Sequence, residues 1–419
     1  MSGLRVCMVT TFYPPHNFGG DGIAVQRLAR ALVKRGHEVT VLANSDAFAV
    51  LGGAAAADDA GDGITVHRLA SPVPAVSVLV TQQTGGLGLH RAAIRDVLRP
   101  GRFDVIHYHN ISLVGGPSVL AEGGRDAIKL YTAHAHWLVC PTHVLWRHRR
   151  EPCTGRECLR CQLAYHRPPQ LWRHTGHLER NLGHVDTFIA QSQFSRDKHR
   201  EMGFPRDMVI VPPILDDEPL AHPVPASPHP RPYFLYVGRL ERLKGLDDVI
   251  PVAREYADAD LVIVGDGTHR AALEAIAGGS ERVRFVGRVP TEQLDPYYSH
   301  ALAVLVPSEG YETFGFVAIE AFRRSAPVIA RRQGPLVEFV ESSGGGELFI
   351  TPAELRDQMR RMQSDASRRH ALGRAGRAAF VDLWSEQAVM PRYLAVIERA
   401  AEARGAARVL EALGAGRAA

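Results

Sequence analysis

Two acids, Glu312 and Glu320, and two cations, Arg239 and Lys244, carry the clearest chemical signal in this chain of 419 residues. Glu312 sits in the loop Ser308-Glu309-Gly310-Tyr311-Glu312, after the apolar run Ala301 to Val306. Glu320 lies about two turns into the helical pattern that opens near Phe314-Gly315. A strand, a loop and a helix start make an anion site, because unpaired backbone N–H groups and the positive end of the helix dipole face the ligand. Arg239 and Lys244 occupy a matching junction, where Phe234-Leu235-Tyr236-Val237 runs into Gly238-Arg239 and on to Lys244-Gly245. Two cations at the carboxyl end of a strand can neutralise a diphosphate leaving group. The plain alternative is a set of solvated charges on ordinary βα units.

The elements that must position these groups alternate strand and helix in both halves, which predicts an α/β protein of two doubly wound domains with a cleft between them. Leu4 to Thr10 reads as a buried parallel strand, the Gly-rich loop Phe12 to Gly22 follows, and a helix then ends at Gly36 before the strand Glu38 to Leu42. The loop lacks Gly-x-Gly-x-x-Gly with a ribose-binding acid at the usual distance, so it matches a nicotinamide site poorly. The strand Asp104 to Asn110 ends in polar residues and puts His107 and His109 at the carboxyl end, where ligands of such sheets sit. The strand Ala127 to Thr132 does the same for His134, His136 and Trp137. Residues 43–63, rich in Ala, Gly and Asp, read as an exposed loop, and residues 405–419 as a fraying end. The expected domains are 1–218, a Pro-rich linker over 219–231, 232–384, and a final helix over 385–419 that returns to the first domain.

Composition narrows the class. Hydrophobic residues make up 45% and charged residues 22%, which is a globular balance. No stretch of 18 apolar residues appears, and the chain enters a strand at once without a signal-peptide pattern, so the expectation is a cytoplasmic protein. A net charge of +4 is too small to imply nucleic acid.

The segment 140–181 is unusual. Cys140, Cys153, Cys158 and Cys161 have the spacing C-x12-C-x4-C-x2-C, which suits a structural zinc clip, with two disulfides or four thiols as alternatives. Eight arginines accompany them, Arg147 and Arg180 at the ends, with few acids. That pattern suits a solvated face, or a surface for an acidic acceptor or for anionic lipid at the inner membrane face. A zinc-bearing nucleic-acid module is disfavoured, because the finger spacing is wrong.

The pattern Glu312-x-Phe314-Gly315-x4-Glu320 resembles the E-x7-E signature of retaining glycosyltransferases of family 4 (glycosyl transferases group 1), and the resemblance runs over about residues 4–400. It implies the GT-B fold and a nucleoside-diphosphate-sugar donor, UDP among them, with a hexose or N-acetylhexosamine moved to a hydroxyl of a glycan, lipid-linked or small-molecule acceptor. In that resemblance Glu312 holds the sugar, Glu320 the ribose, and Gly238-Arg239 with Lys244-Gly245 the diphosphate. Gly19 and Gly20 close over donor phosphates, although Asp21-Gly22 interrupts the family's loop; Gly265, Val289, Phe314 and Gly315 line the nucleotide. His134 sits near the donor sugar, with His107, His109, His136 and Trp137 on the acceptor side. A subset of the family carries a similar four-Cys insertion. The resemblance implies front-side displacement without a metal, since no Asp-x-Asp is placed to bridge a diphosphate. A nucleotide-sugar epimerase of GT-B fold is the alternative enzyme, and a binding protein without turnover the alternative outside enzymes.

Overall fold

The computed structural model describes residues 3–53, 62–217 and 225–417. It divides into two compact units: Met1–His143 with Glu157–Leu215 and Val389–Ala419, and Val144–Arg156 with Asp216–Ala388. Residues 144–156, expected with the amino-terminal domain, thus group with the second unit. The part of the Pro-rich linker from 219 to 224 lies outside the described residues.

The first unit is built on a parallel sheet of β1 (Arg5–Val9), β2 (Glu38–Asn44), β3 (Ile64–Leu69), β4 (Val105–Tyr108) and β5 (Ile128–Ala133), with two later strands. A two-residue hairpin, β6 (Trp146–Arg147) and β7 (Glu151–Pro152), belongs to the other unit, and β8 (Thr187–Ala190) and β9 (Met208–Ile210) complete this sheet. The order is β3-β2-β1-β4-β5-β8-β9. Strands buried on both faces read as continuous apolar runs, and Val6, Met8, Val41, Ile128 and Leu130 fill this core. Helix α1 (Gly20–Val33) turns Val25, Ala29 and Leu32 into it, at the spacing of one helical face.

The second unit carries β10 (Tyr233–Val237), β11 (Asp260–Val264), β12 (Val283–Gly287), β13 (Val304–Val306), β14 (Val328–Arg331) and β15 (Gly346–Phe349), all parallel, in the order β12-β11-β10-β13-β14-β15. In both sheets the order reverses beside the first strand, between β1 and β4 and between β10 and β13. A reversal leaves a crevice at the carboxyl ends, because successive connections leave to opposite sides.

Two expectations fail. Residues 43–63 are not one loop, since Ser45–Val50 form α2. The Asn44 side chain caps it at Ala47 N–H, and Asp46 is buried, bonded to Ser71 and His90. Composition misled because those partners are distant in sequence. Likewise 405–419 does not simply fray. Helix α15 (Glu386–Arg404) breaks at Gly405 and the chain continues as α16 (Ala407–Arg417), where Val409 and Leu413 reach the first unit's core. Between α2 and β4 lie α3 (Pro74–Thr84) and α4 (Arg91–Val97), and α5 (Cys158–Ala164) follows the hairpin.

Helix α14 (Ala366–Leu383) packs closely on α11 (Phe316–Arg323) and the turn after it, and does so through glycine. A Cβ on Gly373 would stand 2.2 Å from the Ser325 carbonyl oxygen, a backbone atom that cannot yield cheaply. Gly373→Ala should therefore cost about 1–3 kcal/mol of stability, read by urea unfolding, while exposed Arg374→Ala stays within about 0.5 kcal/mol. Equal midpoints for the two variants would show that the helices can slide apart.

Candidate active site

In the second unit the loops after β10, β11 and β13 meet at the reversal point. Gly245 opens α8 (Leu246–Glu255) at φ +74°, and a Cβ there would lie 2.1 Å from the Pro307 carbonyl oxygen at the end of β13. Gly265, at φ +138°, would place one 1.9 Å from the Gly238 carbonyl. Only glycine lets these backbones touch. The Leu243 carbonyl accepts from both Glu309 N–H and Gly310 N–H, each at 2.9 Å, which ties the two loops together.

This packing brings the Lys244 ammonium onto Glu312 Oε1, which also accepts from Ser308 Oγ at 2.9 Å. Burial alone would push the Glu312 carboxyl up, but Lys244 and Ser308 outweigh it and hold the group below its usual range. Arg239 stays largely exposed, with Glu241 at 3.4 Å, and its carbonyl accepts from Tyr236 OH at 2.9 Å. Gly315 starts α11 at φ +86°; Phe314 is buried against Phe339 and Phe316. Glu320, on the same helix, accepts from Tyr298 OH at 2.9 Å. Tyr298 is buried on α10 (Asp295–His300). Val289 lies just beyond β12, half-buried. Thus Lys244 and Glu312, 68 residues apart, are in direct contact, and Glu320 sits on the helix that opens beside them. Sequence reasoning overlooked Ser308 and Tyr298, whose types are common and whose spacing carries no signature.

In the first unit three histidines line up at the carboxyl ends of β4 and β5. His109 Nδ1 is 2.9 Å from His134 Nε2, and His134 Nδ1 is 2.9 Å from the Gln191 amide nitrogen. If Gln191 donates to His134 Nδ1, then His134 carries its proton on Nε2 and donates to His109. His107 is held by Tyr393 OH at 3.0 Å and Thr132 Oγ1 at 2.8 Å, with its ring 3.9 Å from that of His109. A pocket beside them is lined by His107, His109, His134, Gln191 and Tyr393. Gly19 and Gly20 lie exposed at the start of α1. The intervening Asp21, overlooked as a functional group, accepts from Gly22 N–H and, at 3.1 Å, from Asn110 Nδ2.

His136 and Trp137 are buried, His136 beside His199 and Trp137 beside Trp172, so neither offers an open acceptor face here. Cys140 Sγ meets Thr142 Oγ1 at 3.2 Å, and Cys153 Sγ donates to the Gly155 carbonyl at 3.1 Å. Cys158 and Cys161 lie on α5. Among the described residues no three His, Cys, Asp or Glu side chains are grouped to hold a metal ion.

Comparison with known proteins places this geometry. The family description "Glycosyltransferase Family 4" matches residues 18–219, and "Glycosyl transferases group 1" matches residues 217–379. Glycogen synthase of Mycobacterium tuberculosis is 27% identical over 364 residues, 80% of each chain. D-inositol 3-phosphate glycosyltransferase of Xylanimonas cellulosilytica is 28% identical over 415 residues, covering 90% of this chain and 92% of that one. Among solved structures, sucrose-phosphate synthase of Thermosynechococcus elongatus superposes with a TM-score of 0.74 at 22% identity, over 95% of this chain and all of the other. Anabaena HepE in complex with UDP does so at 0.66 and 16% identity, over 94% of this chain and all of the other.

Burial pushes His107 down to about 3 and His134 to about 4, and His109 well below its ordinary value. In the unfolded chain the same rings take up protons near 6.5. Between these values the unfolded state binds more protons, so stability is complete above about pH 6.5 and falls as pH drops below it. Thermal unfolding followed from neutral to mildly acidic pH should show this fall, and His109→Gln should make it shallower. An unchanged slope in that variant would mean that the ring is protonated in the fold.

Proposed function

The chain belongs to the family 4, group 1 glycosyltransferases and has their GT-B fold, and from that premise we propose that it is a retaining enzyme moving a hexose or N-acetylhexosamine from a nucleoside-diphosphate sugar to an acceptor hydroxyl. The observation that carries this reading is the Lys244–Glu312 contact at the β10/β13 reversal, next to the start of α11. A cation that bonds a phosphate and a carboxylate that bonds sugar hydroxyls are wanted within one sugar's width of each other. Lys244 and Arg239 would take the diphosphate, with the amides at the Gly315 end of α11 adding positive potential. Glu312 would hold the sugar hydroxyls. Glu320 would accept from the ribose hydroxyls, with its carboxylate aimed by Tyr298.

In the reaction the bond between the anomeric carbon and the diphosphate oxygen breaks as the acceptor oxygen bonds to the same face of that carbon. The acceptor proton passes to the departing phosphate oxygen. The charge that grows on the diphosphate is met by Arg239 and Lys244, so no step calls for a divalent ion. In the first unit His134, accepting from Gln191 and giving its one N–H to His109, would serve as a neutral positioning residue. UDP is the favoured nucleotide, because the HepE neighbour is described with UDP, with UDP-glucose, and with UDP and glucose.

Ligand-induced thermal stabilisation across UDP-, GDP-, ADP- and dTDP-sugars should single out one donor, because stabilisation grows with the logarithm of ligand over dissociation constant. With that donor, Lys244→Ala and Glu320→Ala should each reduce transfer by about 100-fold or more. Wild-type rates in either folded variant would overturn the assignment.

A further inference from the structure

One surface of the first unit exposes several aliphatic side chains. Helix α3 has no charged residue, yet Val76 and Leu79, one turn apart, are 50% and 49% exposed. The carboxyl end of α3 is bonded to the segment after α5. Trp172 Nε1 donates to the Gln82 carbonyl at 2.9 Å, and Gln82 Nε2 donates to the Pro168 carbonyl at 3.2 Å. Leu163 on α5 and Leu171 in that segment are 61% and 65% exposed. Soluble surfaces seldom leave this much aliphatic area together without a partner.

The two stretches that form it carry cations and no acid, with Asp96, Glu157 and Glu179 just beyond their ends. Residues 70–95 and 158–178 contain no Asp or Glu, where the chain's average density would place about five. Arg91, Arg160 and Arg167 are exposed and enter no ion pair among the described residues. Exposed aliphatic side chains bordered by unpaired cations fit one kind of partner, a layer with an apolar interior and an anionic face. A protein partner would call for fixed polar complements, and the exposed side of α3 offers only aliphatic and small neutral side chains.

We propose that this face, α3 with Leu163 and Leu171, docks the protein on a bilayer carrying anionic headgroups. The arginines would draw it to the headgroups, and Val76, Leu79, Leu163 and Leu171 would enter the boundary of the acyl chains. Arg173 links this face to the candidate site. Its guanidinium stacks on Trp137 and Trp172 at 5.0 and 4.8 Å, and Nη2 donates to the Trp137 carbonyl, three residues past His134. A docked protein would therefore present the β5 end toward the membrane. Docking itself is independent of the glycosyltransferase reading; the corollary, that the acceptor hydroxyl belongs to a membrane-borne molecule, rests on that reading.

Flotation of the full chain with phosphatidylcholine vesicles, with and without phosphatidylglycerol, tests it. Binding should be at least tenfold stronger to the anionic vesicles and should weaken with added salt. Val76→Asp/Leu79→Asp should lower it by about tenfold or more, while the melting temperature and the donor-induced shift stay as in wild type. Arg160→Ala/Arg167→Ala should remove most of the preference for anionic lipid. Failure of wild type to bind anionic vesicles, or unchanged binding by the Val76→Asp/Leu79→Asp variant, would overturn the proposal. So would a wild-type dimer that this variant converts to monomer without any vesicle binding. Loss of the donor shift in wild type would instead strike the glycosyltransferase reading and leave docking standing.

Discussion

The second unit depends on a backbone contact. Gly245 lies against the Pro307 carbonyl where the strand order reverses, and everything chemical there follows from that approach. It seats Lys244 against Glu312, and it lets the Leu243 carbonyl take two amides from the loop that holds Glu312. A side chain at 245 would push the two loops apart. The ion pair would then be lost, because an ammonium–carboxylate contact loses most of its value once water enters. Charge and backbone packing are thus one constraint.

The first unit solves a different problem. Three imidazoles stand side by side in an interior that cannot tolerate their charge, and each is kept neutral by burial. Their partners are neutral too: a tyrosine, a threonine and a glutamine. Such a row fixes tautomers, which gives a ring a defined donor and a defined acceptor edge. One of the three, His107, is bound on both nitrogens within the protein and acts as scaffold, whereas His109 retains a buried Nε2 with no hydrogen-bond partner among the described residues.

The segment 140–181 shows why an insertion should be read for its surface as well as for its motif. The four cysteines drew attention as a metal clip, and their sulfurs are not grouped as one among the described residues. Five non-glycine residues with positive φ, His143, Leu145, His148, Arg149 and His166, crowd this stretch, a mark of a backbone bent by its surroundings. What the insertion adds visibly is leucine and unpaired arginine beside an uncharged helix.

Glycine-ended apolar strands, cations after β10 and acids around α11 were legible in the chain, because each is set by local pattern: strand period, turn residues and a spacing along one helix. From them the two sheets, and Arg239, Lys244, Glu312 and Glu320 as the groups to watch, could be written down. The sequence could not say that Lys244 would bond Glu312, that Tyr298 would aim Glu320, or that His107 would be consumed by Tyr393, 286 residues away. Nor could it show that α2 would form inside a loop-like composition, or that α3 would leave its valine and leucine exposed. Those facts depend on which side chains long-range packing brings within hydrogen-bond reach and which faces it leaves uncovered. Local propensity contains no information about either.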